Sequence, residues 1–381
     1  MARIERRFTL YRDAHFHAAF PSLARLADGS VLCAFRRARD PRWLLGDGVR
    51  AHADASASHW EPRSHLATLA LDAAGQPSGP LSVVPGDPEA AAQDASLLVT
   101  SRGAIVLASF GWYPLVSGST MLALPAHAAP TLAGDEAAVL AHTVTYLAWG
   151  VYAQRSVDGG ARWSEPAYVP AVPGAADLVP GKRACLGLGA RGALVEREGE
   201  ILLATYGARV AGGAPSSHLY ASGDDGVSFA YRAPIAADAR VSLLEPSLLA
   251  GGAGVVTAWM RTTGLDDRVA TAESRDGGRT FAPFRARELR GHPAHALRLD
   301  DGRVALTVGR RRAPFGVALR VVAGDLSDVD EAPDVIVADD APSADCGYPW
   351  AVELEPGRVL VAWYAADASG VRGIEAATVA I

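Results

Sequence analysis

Six segments of the sequence carry polar or aromatic side chains at two fixed distances from a glycine. Nine residues before that glycine, they include two carboxylates, Asp94 and Glu245, and a phenol, Tyr348. Seven residues after it, they include two arginines, Arg36 and Arg261. A symmetric scaffold would place equivalent apolar residues at each of these positions, so polar and charged side chains there indicate a site. The spacing predicts one polar pocket if the fold brings the six segments together.

The segments around these glycines share one plan: an apolar strand, a glycine turn and a second strand rich in Val, Leu and Ala. Two clear copies are "EPSLLAGGAGVVTAWMR" from Glu245 and "YPWAVELEPGRVLVAWY" from Tyr348. The six turn glycines are Gly29, Gly103, Gly199, Gly254, Gly302 and Gly357. The closest of them are 48 to 55 residues apart. Hairpins repeated in this way predict an all-β fold, a six-bladed β-propeller.

We predict a single domain over residues 1–381, because no blade of a propeller buries both of its faces alone. The last blade has no evident fourth strand after "GIEAATVAI". The N-terminal segment "RRFTLY" is predicted to pair there and close the ring, which would remove an exposed sheet edge. Two spacings between glycines exceed the repeat, and the larger insert, about Pro114 to Trp149, is predicted to be a loop on one face.

A second repeat has the form Ser-x-Asp-x-Gly-x-x-aromatic. Its three copies are "SVDGGARW" from Ser156, "SGDDGVSF" from Ser222 and "SRDGGRTF" from Ser274. Ser and Asp side chains in such turns hydrogen-bond to the backbone, so we predict a structural role for them. They are expected where the third strand of a blade meets the fourth, on the same face as the glycine turns. The polar positions described above would then lie on the opposite face.

Composition excludes several classes of function. The net charge is −6, which gives no footprint for nucleic acid. No apolar run is long enough to cross a membrane, and the N-terminus has no signal-peptide core, so a cytoplasmic protein is expected. The three scattered cysteines, Cys33, Cys185 and Cys346, do not form the pattern of a disulfide framework.

The Ser-x-Asp turns resemble the Asp-box, or BNR repeat, of the sialidase (neuraminidase) superfamily, whose members are six-bladed propellers. The resemblance covers nearly the whole chain and implies a retaining exo-glycosidase that acts on a glycan with an acidic sugar. It implies Tyr348 as the nucleophile and Glu245 as the base that activates it. It also implies Arg261 and, from "GRRRAPFG", Arg311 as cations that hold the sugar carboxylate.

The sequence departs from that family at the first strand of the first blade. Ala19 stands where the family has a further arginine of the carboxylate clamp. Arg36 or Arg37, on the neighbouring strand, is a candidate to replace it. The family also supplies an acid/base residue from the segment after that strand, where the candidates are Asp40, Asp47, Asp54, His59 and Glu61.

Two alternatives remain open from the sequence. A related propeller could act on uronate-containing oligosaccharides as a lyase or unusual glycosidase through His and Arg, for which His17, His295 and Arg191 are candidates. A propeller of this kind could also bind sugar without catalysis. In each case the partner is a carbohydrate, and Asp94, Arg191 and His59 join the predicted substrate-binding residues. No cofactor is expected, and no metal, because the "HFH" and "HPAH" pairs lack a third ligand.

Overall fold

The computed structural model describes residues 2–40, 42, 61–116, 144–175, 188–208 and 213–381. The strands in these ranges form six antiparallel sheets. Blade one contains β2 (Phe16–Arg25), β3 (Val31–Arg39), β4 (His65–Leu71) and β5 (Ser82–Val83). Blade two contains β6 (Ala91–Ala92), β7 (Ser96–Val99), β8 (Ile105–Val116), β9 (Val144–Ser156) and β10 (Ala167–Tyr168). Blade three contains β11 (Val195–Arg197), β12 (Glu200–Gly207), β13 (Ser216–Ser222) and β14 (Ala230–Ala236).

The second half of the chain repeats the same meander. Blade four contains β15 (Ser242–Ala250), β16 (Val256–Thr263), β17 (Arg268–Ser274) and β18 (Arg285–Arg290). Blade five contains β19 (Ala294–Arg298), β20 (Val304–Arg310), β21 (Phe315–Val322) and β22 (Val335–Ala341). Blade six contains β23 (Gly347–Glu355), β24 (Arg358–Ala366), β25 (Arg372–Ala380) and, as its outer strand, β1 (Arg3–Arg12).

The blades form a ring with their first strands innermost. β2 contacts β7 on one side and β23 on the other, and β15 contacts β19, the first strand of blade five. Apolar side chains fill the spaces between neighbouring sheets; Phe35, Leu69 and Leu360, for example, belong to the core shared by blades one and six. The predicted all-β, six-bladed propeller is therefore confirmed.

The glycine turns lie where the sequence predicts, between the first and second strand of each blade. All six turn glycines have a positive φ of 80° to 88°. A side chain is strained in this backbone conformation, whereas glycine adopts it without cost. This requirement explains why the turn position is the most regular feature of the repeat.

The three Ser-x-Asp turns follow β9, β13 and β17, the third strands of blades two, three and four, as predicted. In the turn of blade four, the Ser274 Oγ accepts a hydrogen bond from the Gly278 N–H at 2.8 Å and donates one to Asp276 at 2.8 Å. The same turn donates from the Gly277 N–H to the carbonyl of the turn glycine Gly254 at 2.9 Å. This turn therefore lies on the same face as the glycine turn.

The prediction of a loop from Pro114 to Trp149 is wrong at both ends of that segment. β8 continues to Val116 and β9 begins at Val144, and the two strands pair over this extension. Such long strands can continue the antiparallel ladder because each residue added to one strand finds a partner on the other. Residues 117–143 lie outside the described residues, as do residues 43–60 of the first insertion. No helix in the described ranges is long and apolar enough to cross a lipid bilayer.

Candidate active site

Three first strands share an irregularity nine residues before their turn glycine. Phe20, Glu245 and Tyr348 have positive φ angles of 58°, 48° and 51°, and each is followed by a proline. The pairing register shifts at the same point of β2, β15 and β23. A β-bulge changes the direction of a side chain, and bulky residues held at a positive φ are strained. Strain of this kind concentrates at functional sites, so these three positions mark the candidate site.

The side chains of Glu245, Tyr348 and Arg261 meet directly, although they come from blades four and six. The Tyr348 hydroxyl donates a hydrogen bond to Glu245 Oε1 at 2.5 Å. Arg261 Nη1 donates to the same oxygen at 3.2 Å and to the Tyr348 hydroxyl at 3.3 Å. Tyr348 and Glu245 are buried, whereas 26% of the Arg261 side chain is exposed. The structure thus brings together three residues that the repeat spacing predicts to meet.

Burial and charge define the protonation states of this group. Burial, and then the negative charge of Glu245, raise the pKa of the Tyr348 hydroxyl well above its usual value, while Arg261 and Arg311 lower it. Burial lowers the pKa of Arg261, but the charge of Glu245, the hydrogen bond to it and the neighbouring tyrosines together raise it overall. The resting phenol of Tyr348 is therefore neutral and donates to Glu245, next to a permanent cation.

Asp94 lies beside this group at the equivalent position of blade two. Burial raises the pKa of its carboxyl to about 7; Arg191 opposes this shift and Glu245 reinforces it. The side chain is 5% exposed. Its electrostatic coupling to Glu245, Arg261 and Tyr348 places it at the same centre of the ring. A carboxyl with this pKa exchanges its proton near neutral pH.

Arg191 is fully buried among the inner strands and uses its donors on the backbone. Its Nη1 donates to the Ala95 carbonyl at 2.9 Å, and its Nη2 donates to the carbonyls of Pro21 and Tyr348 at 3.0 and 3.1 Å. These carbonyls belong to blades two, one and six. The structure therefore places the predicted substrate-binding Arg191 as a bridge between blades, since its bonds to the backbone leave it little capacity for substrate.

Arg311 stands over the nucleophile candidate from blade five. Its guanidinium carbon is 5.6 Å from the centre of the Tyr348 ring, and its Nε donates to the Ala344 carbonyl at 2.7 Å. The pKa of Arg311 is lowered by burial, but Tyr364 and Tyr348 raise it overall. Arg261 and Arg311 thus form two positive charges next to the Tyr348 ring.

A residue that no repeat or motif of the sequence marks supports this side of the site. Asp345 accepts a hydrogen bond from the Tyr364 hydroxyl at 2.7 Å and forms an ion pair with Arg372 at 2.6 Å. The Tyr364 ring in turn packs 5.9 Å from the Tyr348 ring, centre to centre. Asp345 lies outside the repeated positions, so no spacing identifies it. Tyr364, in contrast, lies seven residues after its turn glycine.

Arg36 and Arg37 point to opposite faces of β3, as successive residues in a strand do. Arg36 pairs with Ala19 across the two strands, is fully buried, and donates from Nε to the Ala92 carbonyl at 3.4 Å. Arg37 lies 3.6 Å over the Phe16 ring and 3.9 Å from the Asp13 carboxylate. Of the two candidates for the missing arginine, only Arg36 contributes its charge to Asp94.

Two of the five acid/base candidates of the first insertion, Asp40 and Glu61, lie among the described residues. Asp40 is buried, and Arg42 holds its two carboxylate oxygens at 2.8 and 2.7 Å. Glu61 accepts a hydrogen bond from the Arg63 N–H at 3.0 Å, and burial raises its pKa. Asp40 is therefore committed to an ion pair. Asp47, Asp54 and His59 lie outside the described residues.

The two candidate histidines on first strands are buried. His295 stacks on Trp350 at 4.3 Å between ring centres and accepts a hydrogen bond from the Ala351 N–H. Burial and then Arg191 lower its pKa to about 3, so it is neutral. His17 lies 3.8 Å from Asp345. His292, which the repeat spacing did not single out, is electrostatically coupled to Arg261, Glu245 and Arg311. In the described ranges, no cluster of three or more His, Cys, Asp or Glu side chains suits a metal ion.

Comparisons with known proteins agree with this architecture. A solved structure of a protein of unknown function from Dyadobacter fermentans is 33% identical, covers 100% of this chain and 99% of its own, and has a TM-score of 0.86. The K499G mutant of NanB sialidase from Streptococcus pneumoniae is 12% identical over 98% of this chain and 70% of its own, with a TM-score of 0.65. A search of curated proteins found no match.

A third similar structure extends the range of sugar-active propellers. The α-L-arabinanase of Penicillium chrysogenum, complexed with arabinobiose, is 9% identical over 99% of this chain and 98% of its own, with a TM-score of 0.62. At such low identity, both enzymes are similar in fold alone. The model of the BNR repeat-like domain matches residues 131–361. The chain therefore belongs to the BNR repeat-like family and has the six-bladed propeller fold of the sialidases.

Proposed function

We propose that this protein is a glycosidase that cleaves a glycan at a sugar bearing a carboxylate, with Tyr348 as nucleophile and Glu245 as its base. The observation that carries the proposal is the 2.5 Å hydrogen bond from the Tyr348 hydroxyl to Glu245, with Arg261 contacting both. A phenol is a weak nucleophile while it holds its proton, so it needs an adjacent base. Glu245 is placed to accept that proton as the phenol oxygen attacks the anomeric carbon.

The two arginines explain why the nucleophile would be neutral. Arg261 and Arg311 flank Tyr348, and each guanidinium can bind a carboxylate through two hydrogen bonds. A neutral phenol does not repel a substrate carboxylate held at this distance, whereas a carboxylate nucleophile would. Attack forms the bond from the Tyr348 oxygen to the anomeric carbon and breaks the glycosidic bond, and the aglycone leaves as an alcohol that takes up a proton from solvent. Water then adds its hydroxyl to the sugar and returns a proton to the Tyr348 oxygen, while Glu245 releases its proton to solvent. The two displacements retain the configuration of the sugar.

Asp94 and Arg36 complete the proposed sugar site. With a pKa of about 7, Asp94 carries a proton through much of the neutral range and can donate a hydrogen bond to a sugar oxygen. Glu245, in contrast, accepts the hydrogen bond of the Tyr348 hydroxyl. Arg36, the cross-strand partner of Ala19, supplies positive charge near Asp94.

Release of the fluorophore from 4-methylumbelliferyl glycosides of N-acetylneuraminic acid and glucuronic acid tests the proposal. The corresponding glucoside is the neutral control. We expect turnover of a carboxylate-bearing substrate, and a loss of at least about a hundredfold in kcat for Tyr348→Phe and for Glu245→Gln. Tyr231→Phe makes the same chemical change on the outer strand β14 and should retain turnover.

Other outcomes would replace the proposal with one of its alternatives. Full turnover by Tyr348→Phe and Glu245→Gln would remove both residues from the mechanism. An unsaturated uronate product, seen by its ultraviolet absorbance, would indicate a lyase. Binding of acidic glycans without release of any product would indicate a propeller that recognises sugar without cleaving it.

A further inference from the structure

A separate cavity opens between blades four and five, next to the candidate active site. It has a volume of about 210 Å³, and its lining includes Asp267, His292, Arg310, Arg311 and Arg312. Arg311 belongs to both places, because its guanidinium also stands 5.6 Å from the centre of the Tyr348 ring. A group that extends from a sugar bound at Tyr348 could therefore reach this cavity.

The cavity carries an excess of positive charge. Four arginines line it, against two aspartates, Asp267 and Asp334. Two of the arginines, Arg290 and Arg312, also form ion pairs with Asp266, so the excess charge is that of Arg310 and Arg311. The aspartates are already neutralised, because Asp267 pairs with Arg312 at 2.8 Å and Asp334 pairs with Arg320 at 2.6 Å. The guanidinium of Arg310, in contrast, has no hydrogen bond or ion pair with any residue in the described ranges. A cation without a partner in a cavity is suited to an anion.

His292 provides a second unused polar group in the same wall. The residue is 8% exposed, and its Nδ1 is buried without a hydrogen bond within the described part of the chain. The nearest carboxylate, that of Asp267, is 4.0 Å away. Burial and then Arg261 lower the pKa of His292 to about 4, so its neutral ring can donate one hydrogen bond. A buried polar atom without a partner is rare unless a ligand or water completes it.

We propose that this cavity is a subsite for a compact anionic substituent of the substrate, a sulfate ester or a second carboxylate, held by Arg310 and His292. This inference rests on the proposed glycosidase function, because it extends the same substrate beyond Tyr348. The substituent would lie within reach of Arg311, which lines the cavity and also stands next to Tyr348 in the candidate active site. The enzyme would then select glycans with two acidic groups.

Crystals soaked in selenate locate the anion directly through anomalous scattering. We expect a selenium peak between Arg310 and His292 in the unmodified protein. The peak should be absent in Arg310→Gln and present in Arg303→Gln. The Arg303→Gln variant loses the same charge in the same blade. Arg303, however, follows the turn glycine Gly302, on the face of the propeller opposite the cavity. No peak between Arg310 and His292 would overturn the proposal.

Calorimetric binding of three disaccharides then tests selectivity. They are the unsulfated chondroitin disaccharide, its 6-sulfated form and a diuronic disaccharide from alginate. We expect the 6-sulfated or the diuronic form to bind about tenfold more tightly than the unsulfated one, the scale of one charge-assisted hydrogen bond, and Arg310→Gln to remove that preference. The form that is preferred identifies sulfate or carboxylate. Arg303→Gln should keep the preference.

Equal affinities, or no binding of any disaccharide, together with a selenate peak would mean an adventitious ion only and would overturn the subsite. The test of the subsite can fail or succeed independently of the test of the proposed glycosidase function. Selenate binding at Arg310 does not need the Tyr348 hydroxyl, so Tyr348→Phe should keep the peak. Conversely, loss of turnover in Tyr348→Phe would support the glycosidase whether or not the anion binds.

Discussion

Glu245 and Asp94 occupy the same position of two different blades, but their surroundings differ. Glu245 contacts Arg261 at 3.2 Å and receives the Tyr348 hydroxyl. Asp94 has no ion pair with a residue in the described ranges, and burial dominates its pKa. The same position of the repeat therefore holds a carboxyl group that accepts a hydrogen bond from a phenol in blade four, and one whose pKa is raised by burial in blade two.

Asp94 should make the stability of the protein depend on pH. Its pKa is raised from 3.8 to about 7 in the folded protein, so folding favours the protonated form. The contribution of Asp94 is greatest below pH 4 and is lost as the pH rises through about 7. The total is about 4 kcal/mol, from about 1.4 kcal/mol for each pKa unit.

Urea unfolding of the unmodified protein and of Asp94→Asn between pH 4.5 and 8 measures this contribution. The neutral amide cannot ionise, so the difference in unfolding free energy should move in favour of the Asn variant as the pH rises. Asp301→Asn, on the exposed glycine-turn face, should show no such trend. Parallel curves for Asp94→Asn and the unmodified protein would contradict the raised pKa.

At the scale of the strand, the repeat spacing was sufficient to predict that the side chains of Glu245, Arg261 and Tyr348 lie close together. It could do so because glycine turns fix the register, and the register fixes which strand ends meet. Arg191 lies outside the repeated positions, and its predicted role in substrate binding stays a prediction beside the bridge that the structure shows. Whether a guanidinium faces a ligand or bridges carbonyls depends on its depth in the ring, and one sequence contains no measure of that depth.

Arg191 should contribute to stability by joining the inner strands. It donates hydrogen bonds to carbonyls of blades one, two and six, as described above. Arg191→Leu would leave these buried carbonyls without their donors. We expect it to lower the free energy of unfolding by about 3 kcal/mol or more, measured by urea unfolding. Arg162→Leu, on an exposed turn, is the matched control and should change stability little.

Arg191→Leu should also reduce turnover, because one of the carbonyls that it binds belongs to Tyr348. A variant with normal unfolding free energy but no turnover would instead favour direct contact with substrate, which is the role predicted from the sequence. The two measurements together therefore decide between the bridge and the ligand-binding role.

The Ser-x-Asp turns should affect stability and leave the chemistry unchanged. The serine hydroxyls of Ser156, Ser222 and Ser274 are buried and each accepts a hydrogen bond from a glycine N–H at 2.8 to 2.9 Å. Replacement by Ala removes that acceptor at an element that lies on the face opposite the site. We expect each variant to lose about 1 kcal/mol of unfolding free energy, with unchanged kcat on the best glycoside. Loss of kcat at normal stability would show that the turns take part in the reaction.

For the whole molecule, six similar blades carry six dissimilar inner residues. The apolar and glycine positions repeat because every blade must pack on its neighbours, whereas the positions that face the centre do not repeat. This contrast made the propeller predictable, and it predicts a polar site at the centre of the ring. Asp345, His292 and the cavity at Arg310 were not predictable, because they arise where two blades meet and no single repeat contains them.

The closing contact of the ring should govern whether the whole propeller holds together. β1 pairs with β25 from Arg3 to Arg12, and Arg12 binds Glu375 at 2.5 Å and Asp367 at 2.6 Å. Removal of residues 2–12 would leave the edge of β25 unpaired in the blade that carries Tyr348. Since about 1 kcal/mol corresponds to about 2–4 °C in a chain of this size, loss of a strand should lower Tm by more than about 10 °C.

Differential scanning calorimetry of the truncated and intact proteins measures this effect, and a synthetic peptide of residues 3–12 provides the control. The peptide can pair with the free edge of β25, so it should raise the Tm of the truncated protein and leave the intact protein unchanged. Turnover should return together with Tm, because Tyr348 needs an ordered blade six to reach Glu245 and Arg261. An unchanged Tm after truncation would show that the other blades hold blade six in the ring without β1.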